Sequence, residues 1–286
     1  PIRGRNGKGF NSNFNRNTRS MSMIINSYSF GGYTARTTAF LAATGITDTT
    51  IANALNAMDL ALIAAGLDTK MYALYPIVGG TATTHKYNFM NPADTDAAFR
   101  LTFSGGWTHS ATGALPNGTT GYANTHLTPS VTLSQFSLSI GYYSRTTPYA
   151  AADQAIWGAW DVATKGQILA DIYTNGTRIF GGMNDNYMID GALSGTTKLL
   201  TICRTANNSA KVYRDGTALL TFTSVSTSNL TTIPIYIGGG NRNSSLFYPT
   251  KYECALSFIS DSLNDTDNTN LATLVNTFET SLSRNV

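Results

Sequence analysis

The stretch AKVYRDGTALLTFT, residues 210–223, carries the clearest turn signal in the chain. Its centre, Asp215-Gly216, is a dipeptide that readily adopts the positive φ angles of a two-residue β-turn. The residues on both sides include Val, Tyr, Leu, Phe and Thr, which are typical of strands. The stretch therefore predicts a β-hairpin.

Similar short runs continue on both sides of this hairpin, from about Thr95 to residue 260. They are rich in Ile, Tyr, Phe, Val and Thr and are separated by Asn-Gly, Asp-Gly, Gly-Gly or Pro. In QFSLSIGYY, residues 135–143, every second residue from Phe136 to Ile140 is apolar and the residues between them are serines, which indicates a half-buried strand. Many short antiparallel strands in succession predict a sandwich of two sheets.

Two helices are predicted outside these strands. In the first, Asp48 lies near the start, Gly66 follows the end, and an apolar stripe repeats every three or four residues at Ile51, Leu55, Met58 and Leu62. The second lies near the end of the chain, with an apolar stripe at Leu271, Leu274, Val275, Phe278 and Leu282. We expect the first helix and its flanks, residues 46–94, to form a helical linker module without a core of its own. The second helix should dock on the sandwich, residues 95–286, or on a neighbour.

The composition fits a strand-rich protein with few charges. Only 12% of the 286 residues are charged, about half the usual share, and Thr, Asn, Ser and 26 Gly supply the polarity. No run reaches the length of a membrane-spanning helix. The cysteines, Cys203 and Cys254, lie in apolar strand-like runs, which favours two buried thiols but leaves a disulfide open.

The beginning of the chain is the most basic part. The first twenty residues, PIRGRNGKGFNSNFNRNTRS, hold five basic side chains and no acidic one; residues 1–47 carry +6, and the remainder carries −3. Because this stretch has too little apolar surface to fold alone, we expect residues 1–45 to be an extended docking arm. A protein neighbour is favoured over nucleic acid, since the basic residues are spread among Asn and Gly. The residues expected to contact the partner are Arg3, Arg5, Lys8, Phe10, Phe14, Arg16 and Arg19.

Exposed aromatic side chains are the remaining binding signal. Trp157, Trp160 and the pair Tyr142-Tyr143 could stack on sugar rings, but the spacing in QAIWGAWD favours a core strand for the two tryptophans. Trp107, in the Gly-rich run GGWTH, is the one aromatic residue expected to contact a glycan at the surface. His85, His109 and His126 are too widely spaced for a typical zinc site, so we expect them to be turn histidines.

The strand-like runs resemble a laminin G / concanavalin A-like jelly roll. The resemblance rests on TGYANTHL (120–127), FSLSIGYYSRT (136–146), KVYRDGTALL (211–220), IPIYIGGGNRN (233–243) and YECALSFISDSLN (252–264). It implies a mainly β, antiparallel jelly-roll sandwich, with the Tyr-Arg-Asp-Gly hairpin at the centre of a sheet and a helical tail after the last strand. It also implies that calcium could bind at a sheet rim, where Asp185 and Asp190 in GGMNDNYMID are the candidate ligands. No other cofactor is expected.

Enzymes of this sandwich class that cleave glycans resemble one another in a strand that bears two Glu and one Asp at alternate positions. Here Glu253 and Glu279 are the only glutamates and are isolated from each other. Asp153 and Asp161 flank a strand-like run but lie eight residues apart, whereas retaining hydrolysis needs two carboxylates about 5 Å apart. The chain is therefore expected not to be an enzyme.

A second resemblance covers residues 69–130, from TKMYALYPIVGG to GYANTHLTPS. This segment is similar to virion proteins of tailed phages of Bacteroidota, including crAss-like phages. It implies a virion structural protein, a head decoration or head-fibre component that the arm anchors to capsid or tail neighbours, with homo-oligomers expected and no membrane. The alternative is a tail fibre or receptor-binding, lectin-like domain that recognises host surface glycans.

Overall fold

Two antiparallel sheets and a layer of helices make up the part of the chain that the structure describes. The structure is a computed structural model and describes residues 1, 32–146, 153–163, 166–173, 178–183, 189–192, 198–223 and 229–286. Residues Tyr33–Val286 form one compact unit. The expected mainly β sandwich with a C-terminal helix is confirmed.

The first sheet has eight strands. Its order is β13-β12-β11-β6-β17-β4-β3, and β1 pairs with β17 beside this path. The bounds are β1 (Met71–Tyr75), β3 (Trp107–Ser110), β4 (Gly113–Pro116), β6 (Leu138–Ser144), β11 (Lys198–Ala206), β12 (Ser209–Arg214), β13 (Thr217–Phe222) and β17 (Cys254–Ser260). All pairings in this sheet are antiparallel.

The second sheet has nine strands. Its order is β10-β9-β8-β7-β14-β5-β2, and the hairpin β15–β16 pairs with β7 through a short parallel ladder. The bounds are β2 (Thr102–Ser104), β5 (Tyr122–Asn124), β7 (Gln154–Asp161), β8 (Gly166–Tyr173), β9 (Arg178–Met183), β10 (Ile189–Ala192), β14 (Tyr236–Ile237), β15 (Gly240–Arg242) and β16 (Ser245–Phe247).

The predicted hairpin is confirmed, and its position in the sheet is corrected. Asp215 and Gly216 have φ angles of 52° and 77°, and they connect β12 to β13. However, β13 is an edge strand of the eight-stranded sheet, so the hairpin does not lie at the centre as the resemblance implied. The central strands β6 and β17 are buried along their whole length.

The inter-sheet core lies between the two sheets and is built by strand alternation. Leu138, Ile140 and Tyr142 of β6 point into it, whereas Tyr143 points to the opposite face. Trp157 of β7 is only 1% exposed and is among the largest side chains in this core. Aliphatic and aromatic packing therefore joins the sheets.

The helical layer covers the other face of the eight-stranded sheet. It contains α1 (Ala35–Thr44), α2 (Thr49–Ala64) and α5 (Asp265–Ser281), and two further short helices are α3 (Ala82–His85) and α4 (Pro129–Thr132). Both predicted helices are confirmed, with Asp48 as the N-cap of α2 and an Asn264/Asp267 capping box at α5. Among the described residues, no helix is both long and apolar enough to cross a membrane.

Two predicted domain boundaries are wrong. The segment 46–94 is not a separate linker, because its strand β1 pairs with β17 and its helix α2 packs on α5. The arm does not extend to residue 45, because helix α1 buries Phe40 against Phe89, with ring centroids 5.3 Å apart. The earlier part of the arm lies outside the described residues.

Candidate functional site

Most of the predicted partner and metal residues lie where the structure gives no side-chain information. Arg3, Arg5, Lys8, Phe10, Phe14, Arg16, Arg19 and Asp185 are outside the described residues. Asp190 lies in strand β10, in register with Phe180 of β9. Among the described residues, no three His, Cys, Asp or Glu side chains form a group that could hold a metal ion.

Trp107 is held more firmly than the sequence suggested. It begins strand β3 instead of lying in a Gly-rich loop. Its indole N–H donates to the carbonyl oxygens of Ser104 and Tyr122, each at 3.1 Å. A Cβ atom at Gly238 would lie 2.7 Å from its ring. The half-buried ring is therefore part of the junction between the sheets, and little of it is free to stack on a ligand.

The tryptophans of β7 point to opposite faces of the nine-stranded sheet. Trp157 and Ala159 face the inter-sheet core, after an irregularity in register between Ala155 and Trp157. Trp160 is three residues further along, so it faces outward and is half-buried. The interpretation of both tryptophans as core residues was therefore wrong for Trp160, because side chains alternate with a period of two.

Trp160 is the centre of what we call the aromatic–arginine cluster: Trp160, Arg242, Phe247 and Tyr248. The exposed Arg242 guanidinium lies 4.2 Å from the Trp160 ring centroid and 5.2 Å from that of Phe247. Phe247 meets Trp160 edge-on at 5.7 Å, and the Phe247 and Tyr248 ring centroids are 3.7 Å apart. Cation–π attraction and ring packing stabilise this arrangement.

The hairpin β15–β16 positions the cluster. Arg242 is in register with Trp160 in the parallel ladder, and the turn residues Asn243 and Ser244 have φ angles of 50° and 69°. The Asn243 N–H donates to the Trp160 carbonyl at 3.1 Å, and the Asn243 side-chain oxygen accepts from the Val162 N–H at 3.0 Å. The tip of the hairpin is thus tied to the end of β7.

A second pair of rings lies on the same outer face. Tyr122 and Tyr236 stack with centroids 4.4 Å apart and an interplanar angle of 18°. Their strand neighbours Ala123 and Ile237 face the core, so both tyrosine rings face outward. Among the described residues, the outer face of the nine-stranded sheet therefore carries aromatic rings beside the exposed Arg242 guanidinium, although Tyr236 itself is only 7% exposed. Such a surface can pack on an apolar ring face and donate hydrogen bonds.

The two aspartates that flank β7 cannot act together on one bond. Seven to eight strand residues at about 3.3 Å each separate them by roughly 25 Å, far more than hydrolysis with either stereochemical outcome requires. Asp161 is buried and accepts from the Thr232 hydroxyl and, at 3.0 Å, from the Ala163 N–H.

Both glutamates of the chain take part in ion pairs. Glu279 is fully buried and pairs with Arg284, while Glu253 is half-buried and lies 3.4 Å from Arg145. Burial raises the pKa of Glu279 to about 7 even though Arg284 opposes this shift. Glu279 lies in the helical layer and Glu253 beside the hairpin β3–β4, and Arg145 lies between them, since it also donates to the Arg284 carbonyl at 2.8 Å.

Two histidines that lie 24 residues apart in sequence meet in the structure. His85 Nδ1 and His109 Nδ1 are 2.9 Å apart, and His85 Nε2 accepts the Gly80 N–H at 3.1 Å. Neutral His85 therefore carries its proton on Nδ1 and donates it to His109. Burial, His109 and Arg284 lower the pKa of His85 to about 3. The sequence held no signal for this pair, because α3 and β3 are brought together only by the fold.

Both cysteines are free, buried thiols. Cys203 faces the helical layer, and Cys254 faces the inter-sheet core. Strand β6 lies between their strands, so the two sulfur atoms are on opposite faces of the sheet and two strands apart. Burial raises the pKa of Cys203 to about 11, which keeps this thiol protonated at neutral pH.

No protein family and no curated protein matches the sequence. Among solved structures, a mutant Trypanosoma rangeli sialidase displaying trans-sialidase activity is 12% identical over 79% of this chain and 38% of its own, with a TM-score of 0.49. The binding domain of botulinum neurotoxin DC, solved with rat synaptotagmin II, is 10% identical over 73% of this chain and 52% of its own, with a TM-score of 0.47.

A third similar structure is the CBM40 domain of the Ruminococcus gnavus IT-sialidase bound to α2,3-sialyllactose. It is 15% identical over 46% of this chain and 79% of its own, with a TM-score of 0.34. The chain spans about a quarter of the length of the pneumococcal NanB sialidases that it also resembles. These are distant likenesses to lectin-type β-sandwich domains.

Proposed function

We propose that this chain is a lectin-like, receptor-binding module that recognises host surface glycans through the aromatic–arginine cluster. The observation that carries the proposal is the outward Trp160, stacked with the exposed Arg242 and bordered by Phe247. Sugar rings have apolar C–H faces and hydroxyl edges, so a ligand of this kind matches an aromatic surface with a hydrogen-bond donor beside it.

The position of the cluster supports binding more than a structural role. Trp157, on the inner face of the same strand, already supplies the packing that joins the sheets. Arg242 is exposed and stacks on Trp160 and Phe247, which holds its planar group in a fixed orientation at the surface. A preorganised aromatic and guanidinium surface loses little conformational entropy on binding.

An array of neutral and acidic oligosaccharides tests the proposal. The full chain should bind a subset of the glycans, and Trp160→Ala should weaken that binding by roughly tenfold or more. Tyr33→Ala is the matched control, because Tyr33 is 40% exposed and lies beside helix α2, where its hydroxyl donates to Asn53 Oδ1 at 3.2 Å. Absence of binding to any glycan, or equal losses in both variants, would reject the cluster as a glycan site.

We also propose that the module binds without cleaving its ligand. The wide separation of Asp153 and Asp161 along β7 supports this proposal. Incubation of the chain with host capsule and cell-wall glycans should release no new reducing ends. Release that disappears in Asp153→Asn or Asp161→Asn would contradict it.

A second candidate function is a structural component of a phage virion. The charge asymmetry, +6 over residues 1–47 against −3 over the rest, favours an attachment segment. In this proposal the residues before Tyr33 bind other virion proteins, capsid or tail neighbours, and the compact unit projects from the particle as one copy of a homo-oligomer. Neither nucleic acid nor a membrane is the proposed partner.

Deletion of residues 1–31 separates the two functions. It should abolish incorporation into particles while leaving glycan binding and the unfolding transition of the compact unit nearly unchanged. If the arm binds protein, incorporation should survive moderate salt, whereas six phosphate contacts would give a log–log salt slope of roughly −5. A truncated chain that is incorporated at full occupancy, or a steep salt dependence, would contradict the protein-docking role.

A further inference from the structure

The helical layer leaves one part of the eight-stranded sheet open. Its apolar contacts reach β1, β17, β6, β11 and β12 but include no residue of the hairpin β3–β4. An open groove of about 630 Å³ lies over this hairpin. The groove is bordered by Leu115, which is 39% exposed, and its polar lining includes the side chains of Thr108, Ser110, Thr112, Thr146, Lys251 and Glu253.

Glu253 supplies a fixed hydrogen-bond acceptor in the groove. The Thr112 hydroxyl donates to Glu253 Oε1 at 2.7 Å, and Arg145 Nη1 lies 3.4 Å from Oε2. The Glu253 backbone N–H donates to the Thr146 hydroxyl at 2.8 Å, which fixes the residue at its main chain as well. A carboxylate accepts about four hydrogen bonds, so Glu253 retains capacity for ligand hydroxyl groups.

Lys251 supplies the matching donor. Its side-chain methylenes lie flat over Gly118, where an added Cβ would come within 2.4 Å of Cγ and 2.7 Å of Cε. Its backbone N–H donates to the Gln154 side-chain oxygen at 2.7 Å. Among the described residues, no carboxylate forms an ion pair with the Lys251 ammonium group. Gly118 therefore gives the lysine stem a defined course into the groove.

We propose that this groove, which we call the β3–β4 groove, is a second saccharide-binding site and takes a neutral sugar. The Glu253 carboxylate accepts from ligand hydroxyl groups, the Lys251 ammonium group donates to ligand oxygens, and Leu115 packs against a C–H face. A sugar hydroxyl group can donate to Glu253 and accept from Lys251, whereas the carboxylate of an acidic sugar can only accept and is repelled by the Glu253 carboxylate. The inference rests on the proposed function.

The two sites differ in chemistry. The aromatic–arginine cluster offers rings and a guanidinium, whereas the β3–β4 groove offers hydroxyl groups, a carboxylate and an ammonium group. They also lie on different sheets: Trp160 is on the nine-stranded sheet, and Thr108 and Ser110 are on an edge strand of the eight-stranded sheet. Separate variants can therefore remove one site and leave the other in place.

The test is an NMR titration of the full chain with neutral oligosaccharides built from hexoses and N-acetylhexosamines. We expect the amide signals of Thr108, Ser110 and Thr112 to shift, and to shift equally in Trp160→Ala. Lys251→Gln and Glu253→Gln should each weaken this response by roughly tenfold. Lys211→Gln is the matched control, because it removes the same charge from β12, at the other side of the sheet.

The outcomes distinguish the two proposals. Shifts confined to the Trp160 indole signal would overturn the β3–β4 groove and leave the proposed function intact. Shifts confined to the groove would overturn the aromatic–arginine cluster as the site and support this inference. No shift with any of the oligosaccharides would overturn the groove, and the array with acidic glycans would then decide the proposed function. Lys251 is exposed, so Lys251→Gln is expected to fold even if Glu253→Gln does not.

Discussion

The two faces of the eight-stranded sheet are buried by different means. The face toward the nine-stranded sheet meets aliphatic and aromatic side chains, and Trp157, Ile140 and Leu200 are typical of it. The face toward the helical layer also buries apolar residues, but fully buried Glu279 and Arg284 lie among them. Apolar packing dominates the first interface, where the buried Arg204 also donates to the Met183 carbonyl at 2.7 Å, whereas the second interface buries a whole carboxylate–guanidinium pair.

Arg284 shows what the second interface requires. Its guanidinium donates to both carboxylate oxygens of Glu279, at 2.8 and 2.9 Å. It also donates to the backbone carbonyl oxygens of Ile77 at 2.8 Å, Pro76 at 3.2 Å and Ala255 at 3.3 Å. One side chain thus connects the end of α5 to the segment after β1 and to strand β17.

The largest expected effect comes from removing this connection. Arg284→Ala leaves Glu279 buried without a partner and three carbonyl groups without a donor. Loss of one member of a buried ion pair typically costs about 3–5 kcal/mol of unfolding free energy. Chemical denaturation at pH 7, followed by fluorescence and circular dichroism, measures the loss.

Two variants show whether charge or packing is responsible. The double variant Glu279→Leu/Arg284→Met should recover most of the loss, because it removes both charges and keeps the volume. Arg100→Ala, in the exposed ion pairs with Asp94 and Asp96, should leave the unfolding free energy close to that of the wild type. A double variant as unstable as Arg284→Ala would show that the two interfaces do not differ in this way.

The inter-sheet core should respond to volume and not to pH. Trp157→Ala should cost about 3–5 kcal/mol, because the buried ring leaves a cavity that the two sheets cannot close. The indole N–H of Trp157 has no hydrogen-bond partner among the described residues, so Trp157→Phe should cost clearly less than Trp157→Ala. Denaturation at pH 5 and pH 7 should give the same difference for each variant.

Stability should respond to pH through two buried groups of opposite sign, Glu279 in the helical layer and His85 in the short helix α3. His85 has a pKa of about 3 in the folded chain against 6.5 ordinarily, so the unfolded chain binds the extra proton and stability falls as the pH drops from 6.5 toward 3. Glu279 has a pKa of about 7 against 4.5, so the folded chain binds the extra proton and stability falls as the pH rises from 4.5 toward 7.

The window between pH 4.5 and 6.5 separates these two contributions. His85→Gln should make acidification less destabilising than in the wild type, whereas Glu279→Gln should make it more destabilising. Unfolding free energies at pH 4.5, 5.5 and 6.5 measure both slopes. Equal slopes in the wild type and both variants would contradict the assignment of the pH response to these groups.

Most of the fold could be predicted from local sequence patterns. The Asp215-Gly216 turn and the stripe of α5 depend on residues close in sequence, and both were confirmed. QFSLSIGYY forms the predicted strand, but β6 is buried along its whole length instead of half-buried, because the helical layer covers its second face. The error at residues 46–94 concerned long-range pairing. The sequence MYALY does not indicate that this strand pairs with β17, which lies nearly two hundred residues later in the chain.

The candidate site was predicted less well, for two physical reasons. The outward position of Trp160 could have been predicted from the sequence. Two strand residues three positions apart face opposite sides of a sheet, so Trp157 and Trp160 could not both lie in the core. The contact between Arg242 and Trp160 could not have been predicted, because it depends on a parallel ladder formed by a hairpin that is distant in sequence. Trp107 was placed in a loop because Gly105-Gly106 precedes it, but its indole N–H binds carbonyl groups that only the fold brings near.

The smallest expected effect on stability concerns the outer aromatic surface, and it is the sharpest test of the proposed function. Trp160 is half-buried on the outer face and packs on the exposed Arg242 and on Phe247, so Trp160→Ala should change the unfolding free energy by about 1 kcal/mol or less. Trp107→Ala removes a ring that donates to two carbonyl groups and packs beside Gly238, so it should cost about 2 kcal/mol or more. Glycan binding should show the reverse order: Trp160→Ala should lose binding affinity while its unfolding free energy stays close to that of the wild type. If Trp107→Ala is the variant that retains stability and loses the glycan, the recognition surface lies at the junction of the two sheets instead of at the aromatic–arginine cluster.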